Sequence, residues 1–151
     1  MRQRRRIGRP WPVLAELGRP DVRESGEEEG AREVFLSYLR RPDAVALVAE
    51  EGARVLGFLD MEYRVRLNFT TPQAWIPDLI VGEGSRSLGI GRVLLERAEA
   101  LARERGCWGI TLESATWRVR AHAFYLREGS KDTGKSLTKV LADISWPPAP
   151  R

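Results

Sequence analysis

Trp75–Gly106 reads WIPDLIV, then GEGSRSLGIG, then RVLLERAEALARERG. The first run has the apolar, β-branched character of a buried strand. The second is a glycine-rich turn. A helix from about Gly89 to Arg105 places Ile90, Leu94, Ala98, Leu101 and Ala102 on one stripe, with Gly106 positioned for a left-handed C-terminal cap. A strand, a turn and a helix in this order bring bare backbone N–H groups and the positive end of a helix dipole to one spot. Such a spot attracts phosphate. Pro77 adds a second signal. Proline cannot donate to a central ladder, so a bulge or splay is expected near residues 77 to 79, freeing backbone groups that an extended ligand can pair with.

The glycines fit neither of two common phosphate loops. A P-loop starting at Gly84 would need lysine and then serine or threonine after Gly89, but Ile90 and Gly91 follow. A dinucleotide turn needs a third glycine, yet Gly89-x-Gly91 runs into Leu94, and Gly82-x-Gly84 into Ser87. What remains is Arg86-Ser-Leu-Gly89-Ile-Gly91 at a helix start. Arg86 offers a guanidinium, and the glycines allow close backbone approach to a pyrophosphate. The plainer alternative is that the glycines only make a tight strand-to-helix turn.

Working outward, Ala31, Val34, Phe35, Tyr38 and Leu39 recur at helical spacing behind the acidic run Glu27-Glu-Glu29, and Arg40, Arg41 and Pro42 close that helix. Val13 to Leu17 suggests a short earlier helix. Ala44 to Ala49 is a strand, Gly52 the tip of a hairpin and Val55 to about Val65 its return. Residues 66–73 form a loop. Trp108 to Glu113 alternates as a strand, with Trp108, Ile110 and Leu112 on one face. Ala121, Phe124 and Tyr125 share a short helix ending at Gly129, and 136–141 is a last expected strand. The order implies a mixed sheet with a strand–helix–strand crossover, hence α+β or α/β. The expected organisation is a basic tail over 1–12, one domain over 13–141 and a proline-rich tail over 142–151.

Composition bounds the function. The chain has 151 residues, 42% hydrophobic and 30% charged, which suits one globular domain. No apolar run approaches the ~20 residues of a membrane span, and no secretory core follows the basic start. Cys107 is the single cysteine, so no internal disulfide forms, and with one histidine a His/Cys metal site is not expected. A cytoplasmic protein is the expectation. Net charge is +4, but Arg2, Arg4, Arg5, Arg6 and Arg9 supply five positive charges, leaving −1 for the rest. The basic signal is a tail rather than a face, which argues against nucleic acid.

With these residues in view, the chain resembles the GNAT acetyltransferase superfamily. The resemblance rests on the strand DLIV at 78–81, RSLGIG at 86–91 and AHAFYLREG at 121–129, where Ala121, Phe124, Tyr125 and Gly129 fit the pattern A-x-x-F-Y-x-x-x-G. It covers residues 44–141 best. In look it is closest to aminoalkylphosphonate and other small-amine N-acetyltransferases. The resemblance implies a mostly antiparallel mixed sheet, splayed near its middle and flanked by helices. It also implies acetyl-CoA as cosubstrate. The backbone of Leu79, Ile80 and Val81 would pair with the pantetheine arm, and Arg86, Ser87, Leu88, Gly89, Ile90, Gly91 and Arg92 would hold the pyrophosphate. Tyr125 would act as general acid toward the leaving thiolate. Glu113, then Asp78, are the favoured bases, with Glu62, Asp60 and His122 further candidates. The partner implied is a small-molecule amine, and members of the family often form homodimers.

Three positions depart from the family pattern: the N-terminus does not read as its usual first strand, Arg118 stands where asparagine is common, and Ser130 replaces an aromatic. They motivate a rival reading, a non-catalytic acyl-CoA-binding or interaction protein on the same fold. A nucleic-acid-binding role for the arginine tail is the third.

Overall fold

The computed structural model describes residues 24–143. The basic segment 1–12, the helix expected at 13–17 and the proline-rich end from 144 onward lie outside the described residues. The elements are α1 (Glu28–Arg40), β1 (Ala44–Glu51), β2 (Arg54–Arg64), β3 (Gln73–Ile76), β4 (Leu79–Val81), a 3-10 turn (Glu83–Ser85), α2 (Ile90–Glu104), β5 (Ile110–Leu112) and α3 (Val119–Arg127). They form the expected mixed α+β fold.

Helix α1 carries Glu28 and Glu29 in its first turn and Arg40 in its last, each matching the dipole end it sits on. Phe35 and Tyr38 face the sheet, and the Phe35 ring meets that of Phe58 at 6.3 Å. Val34, expected on the same stripe, is 70% exposed. The helix covers the sheet with a face too narrow to include it.

β1 and β2 form an antiparallel hairpin around Gly52, whose φ of +59° suits glycine at the tip. β2 is the central strand. It pairs with β1 on one side and with both β3 and β4 on the other, antiparallel in every case, while β5 lies parallel to β3. The parallel pairing follows from the α2 crossover.

The main core lies between the sheet and α2. Leu59, Met61, Ala74, Ile76 and Leu79 pack against Leu94, Leu95, Ala98 and Ala102, with Tyr125 at one end. Full burial of a side chain the size of Leu59 or Met61 stabilises by ~1.5–3 kcal/mol each. Phe58 and Ile80 form a smaller cluster on the other face, under Phe35 of α1. At Gly57 α2 crosses close over β2. A β-carbon there would stand 3.0 Å from Ile90 Cγ2, 3.0 Å from Leu94 Cδ1 and 3.1 Å from the Ile80 carbonyl oxygen. The helix ends as its sequence foretells: Gly106 has φ +75°, and the Gly106 and Cys107 N–H groups donate to Arg103 and Ala102 carbonyls. Half-buried Cys107 packs against the core.

Two strand expectations fail. Residues 136–141 form no strand, and Leu137 and Leu141 stay about nine-tenths exposed, at 91% and 89%. The polar run Ser130-Lys-Asp-Thr133 offers nothing apolar to seat the segment against the sheet. Trp108 lies before β5, 46% exposed, and stacks on Phe69 at 4.5 Å instead of joining Ile110 and Leu112. Its N–H donates to the Pro72 carbonyl, which ties the 66–72 loop down.

Candidate active site

The strand expected over Trp75 to Val81 is interrupted where Pro77 foretold. Glu62 faces Trp75, but Leu59 faces Leu79, so the β3–β4 side holds one residue more than β2 between those pairs. That extra residue makes a β-bulge at Pro77 and Asp78, which bends the strand and raises its twist. β5 does not follow the bend. Its last pairing sets Leu112 opposite Ile76, and β4 has only β2 beside it. The sheet therefore splits beyond Ile76, as expected.

Ladder alternation decides which backbone groups line the split. Asp60 N–H donates to the Asp78 carbonyl at 3.1 Å, and Gly82 N–H to the Leu56 carbonyl at 2.8 Å. In an antiparallel ladder, alternate residues turn their backbone groups to the same side. Residues 78, 80 and 82 therefore address β2, while Leu79 and Val81 turn N–H and C=O into the split. Of the three residues expected to offer backbone to an extended ligand, Ile80 is turned the other way.

Beyond Val81, the 3-10 turn leads to two left-handed residues, Ser87 at φ +67° and Gly89 at φ +77°. Serine in that region is uncommon and signals a locally constrained backbone. Gly89 is the N-cap of α2, with no side-chain cap and no acidic residue in the first turn. Among the described residues the N–H groups of Ser87 through Arg92 meet no acceptor; the first α2 bond beyond them is Val93 N–H to the Gly89 carbonyl, 3.1 Å. Arg86 and Leu88 are exposed here, whereas Ile90 turns inward against Gly57. Gly91 sits beside α3, where a β-carbon would lie 3.4 Å from Phe124 Cζ and 3.5 Å from Val81 Cγ2. The Arg92 guanidinium is held by Glu96 at 2.9 Å and by Glu128 at 3.7 Å, so what Arg92 offers the turn is its N–H. Uncapped donors at a helix start, set in a left-handed turn, form an anion-binding concavity.

Tyr125 is buried at 7% exposure and packs edge-on to Phe124 at 5.3 Å. Burial pushes its phenol pKa up, Asp78 adds to the rise, and Arg118 opposes it. The proton is therefore retained at neutral pH.

The carboxylates divide by position. Asp78, half-buried, occupies the bulge, and Glu113, exposed, directly follows β5, so the two stand on opposite lips where the strands part. Glu62 is drawn outward into ion pairs, since Arg41 Nη2 bridges it at 3.2 Å and Asp43 at 2.8 Å. Asp60 accepts the Asp78 N–H at 2.8 Å. Burial, reinforced by the nearby Asp78 and Glu62 charges, pushes its carboxyl up to about 7. His122 is half-buried on α3, its N–H bonded to the Arg118 carbonyl. The Arg64 guanidinium lies 3.2 Å from the ring centroid of Trp75. The Trp75 indole N–H and the Ser114 hydroxyl are buried with no hydrogen-bond partner among the described residues. Sequence reading missed Gly57, although a glycine inside an apolar strand signals close backbone approach. It saw Asp60 only as a base candidate and not as the acceptor that completes the bulge.

Residues 11–129 match the acetyltransferase (GNAT) family. An aminoalkylphosphonate N-acetyltransferase of Salmonella typhimurium is 32% identical over 110 residues, spanning 73% of this chain and 71% of that protein. Two solved structures share the fold. A transcriptional regulator from Bacillus halodurans matches with a TM-score of 0.75 at 23% identity, covering 87% of this chain and 93% of that one. An aminoglycoside antibiotic 6'-N-acetyltransferase from Acinetobacter haemolyticus matches with 0.66 at 21% identity, covering 76% and 81%. The chain belongs to the GNAT acetyltransferase family and is an N-acetyltransferase. No described helix is long and apolar enough to cross a membrane.

Proposed function

We propose that the chain transfers an acetyl group from acetyl-CoA directly to the primary amine of a small molecule. The observation that carries this is the run of N–H groups from Ser87 to Arg92 that meet no acceptor among the described residues, set in a left-handed turn at the end of the open Leu79–Val81 edge. A pyrophosphate suits the former and an extended amide-bearing arm the latter. When bound, acetyl-CoA supplies an activated thioester.

The chain's own residues supply the rest. A primary amine has a pKa of roughly 10, so about one molecule in a thousand is neutral at pH 7. A carboxylate at the split, Asp78 or Glu113, takes the amine proton. The outward N–H of Leu79 meets the charge that develops on the acyl oxygen, a contribution typically worth ~3 kcal/mol. Tyr125, kept protonated by burial, gives its proton to the departing sulfur. The Asp78 and Glu113 carboxylates at the split favour an acceptor that arrives as an ammonium ion. The Salmonella relative acetylates aminoalkylphosphonates by name, which makes small amines bearing an anionic group the first to assay.

Thiol release is followed with acetyl-CoA and a panel of aminophosphonates, amino sugars and polyamines. Amine-dependent release is expected for at least one class. CoA binding without turnover across the panel favours the non-catalytic acyl-CoA-binding alternative, and no CoA binding overturns both.

A further inference from the structure

We infer that Asp60 is the positioning residue of the split sheet: its carboxylate serves the Asp78 N–H in place of a backbone acceptor, and so sets where the open edge begins. Two bonds run in opposite directions between the same two residues. Asp60 N–H donates to the Asp78 carbonyl at 3.1 Å, and Asp78 N–H donates to Asp60 Oδ1 at 2.8 Å. The first continues the ladder. The second replaces it, because the bulge carries the Asp78 N–H away from the regular register. Pro77 has no N–H to offer, so at the bend this carboxylate bond follows directly on a residue that cannot donate.

The consequence reaches the ligand edge directly. Leu79 follows Asp78 and is the first residue to turn its N–H and C=O into the split. A shift of Asp78 therefore shifts the first donor of that edge. Asp78 also bears on Tyr125, whose phenol it pushes up. Asp60 touches neither, and acts on both through Asp78.

This clamp responds to protons. Among the described residues, the titratable groups facing Asp60 are Asp78 across the bulge, Glu62 on its own strand and the Tyr38 phenol on α1. Tyr38 donates to the Met61 carbonyl at 3.2 Å. Arg41, engaged with Asp43 and Glu62, is a cation of the same face. In this setting the Asp60 carboxyl titrates at about 7. Its ionised form is the stronger acceptor, since charge-assisted bonds are about twice as strong as neutral ones. The clamp is thus firm above neutrality and weaker below it.

The functional part rests on the acetyl-CoA reading, and the test separates the two. In nitrogen-labelled protein, the Asp78 amide resonance is followed between about pH 5 and pH 9 in the wild type and in Asp60→Asn. Asparagine keeps an acceptor oxygen but does not titrate. The amide is expected to titrate with a midpoint near neutrality in the wild type and to lose that transition in the variant. A resonance indifferent to pH, or a transition that persists in Asp60→Asn, overturns the inference whether or not CoA binds. In parallel, CoA affinity measured at about pH 6 and pH 8 should tighten several-fold more in the wild type than in Asp60→Asn. The ligand's own phosphate titration is common to both proteins. Equal pH dependence in the two overturns the role of Asp60 while leaving the acetyl-CoA reading standing.

Discussion

Replacing Gly89 with valine forces a β-branched side chain into a backbone at φ +77°. The neighbourhood itself is open, with nothing within 4 Å of where a β-carbon would stand. The effect is therefore conformational rather than steric. Holding an L-residue in the left-handed region costs ~1–2 kcal/mol, and more when it is β-branched. If the turn keeps its shape, that strain appears as lost stability, and at ~2–4 °C per kcal/mol in a chain this long the midpoint falls by roughly 2–8 °C. If the turn relaxes instead, stability is spared but the N–H groups that follow Gly89 no longer converge. Each hydrogen bond to a charged group is worth ~1.5–3 kcal/mol, so CoA binding weakens about tenfold or more per bond lost. Gly89→Asn is the control, because asparagine tolerates the left-handed region, and it should recover most of both quantities. Thermal unfolding followed by circular dichroism and calorimetric CoA titration read the two effects. A valine variant matching the wild type in both would refute the argument that this turn depends on its left-handed glycine.

Gly57→Ala should lower stability by ~1–3 kcal/mol in denaturant titration, because Ile90 and Leu94 can give way but the Ile80 carbonyl, fixed in the ladder, cannot. An unchanged midpoint would show that α2 has room to lift. Tyr125→Phe keeps the ring that packs on Phe124 and removes the proton, so kcat should fall ~100-fold with KM for acetyl-CoA and the unfolding midpoint little changed; full activity would remove Tyr125 from the proton path. Asp60 also governs how stability varies with pH. Its carboxyl titrates at about 7 in the fold against an ordinary 3.8, so the folded state holds the proton more tightly than the unfolded chain. The stability it contributes is complete below the ordinary value and is lost as pH rises through about 7, on the order of 2–4 kcal/mol. Urea titrations over that range should show the decline in the wild type and a flatter profile in Asp60→Asn; parallel profiles would contradict the buried setting of Asp60.

What could be read without coordinates was what depends on local chemistry. Pro77 announced the break because a missing N–H is a property of the residue. The α2 stripe and Gly106 announced a helix and its end for the same kind of reason. The Asp60–Asp78 clamp was not legible, because it depends on a register one residue out of step across two strands, and no pattern along a single strand encodes that. The alternation of Leu67 to Phe69, or of Ser136 to Leu141, looks much like that of β5, yet only β5 has a partner strand waiting. Ser136–Leu141 was overread for this reason, and Trp108 because its ring found Phe69 instead of the core. The two readings of Asp60, as base and as clamp, differ only in what stands 2.8 Å away.

The crossover that makes β5 parallel to β3 has a kinetic side. The β1–β2 hairpin closes around a tight turn at Gly52 and can pair as soon as its residues meet. Ala74 and Ile110 are separated along the chain by the whole of α2, and contacts so distant close more slowly than local ones. One wall of the split is thus organised early and the other late. β5 and β4 are both three residues long, but β4 buries Leu79 and Ile80 while no residue of β5 is fully buried, so the β5 amides should exchange faster, and the site should open from the β5 side while the Asp60–Asp78 wall is still closed.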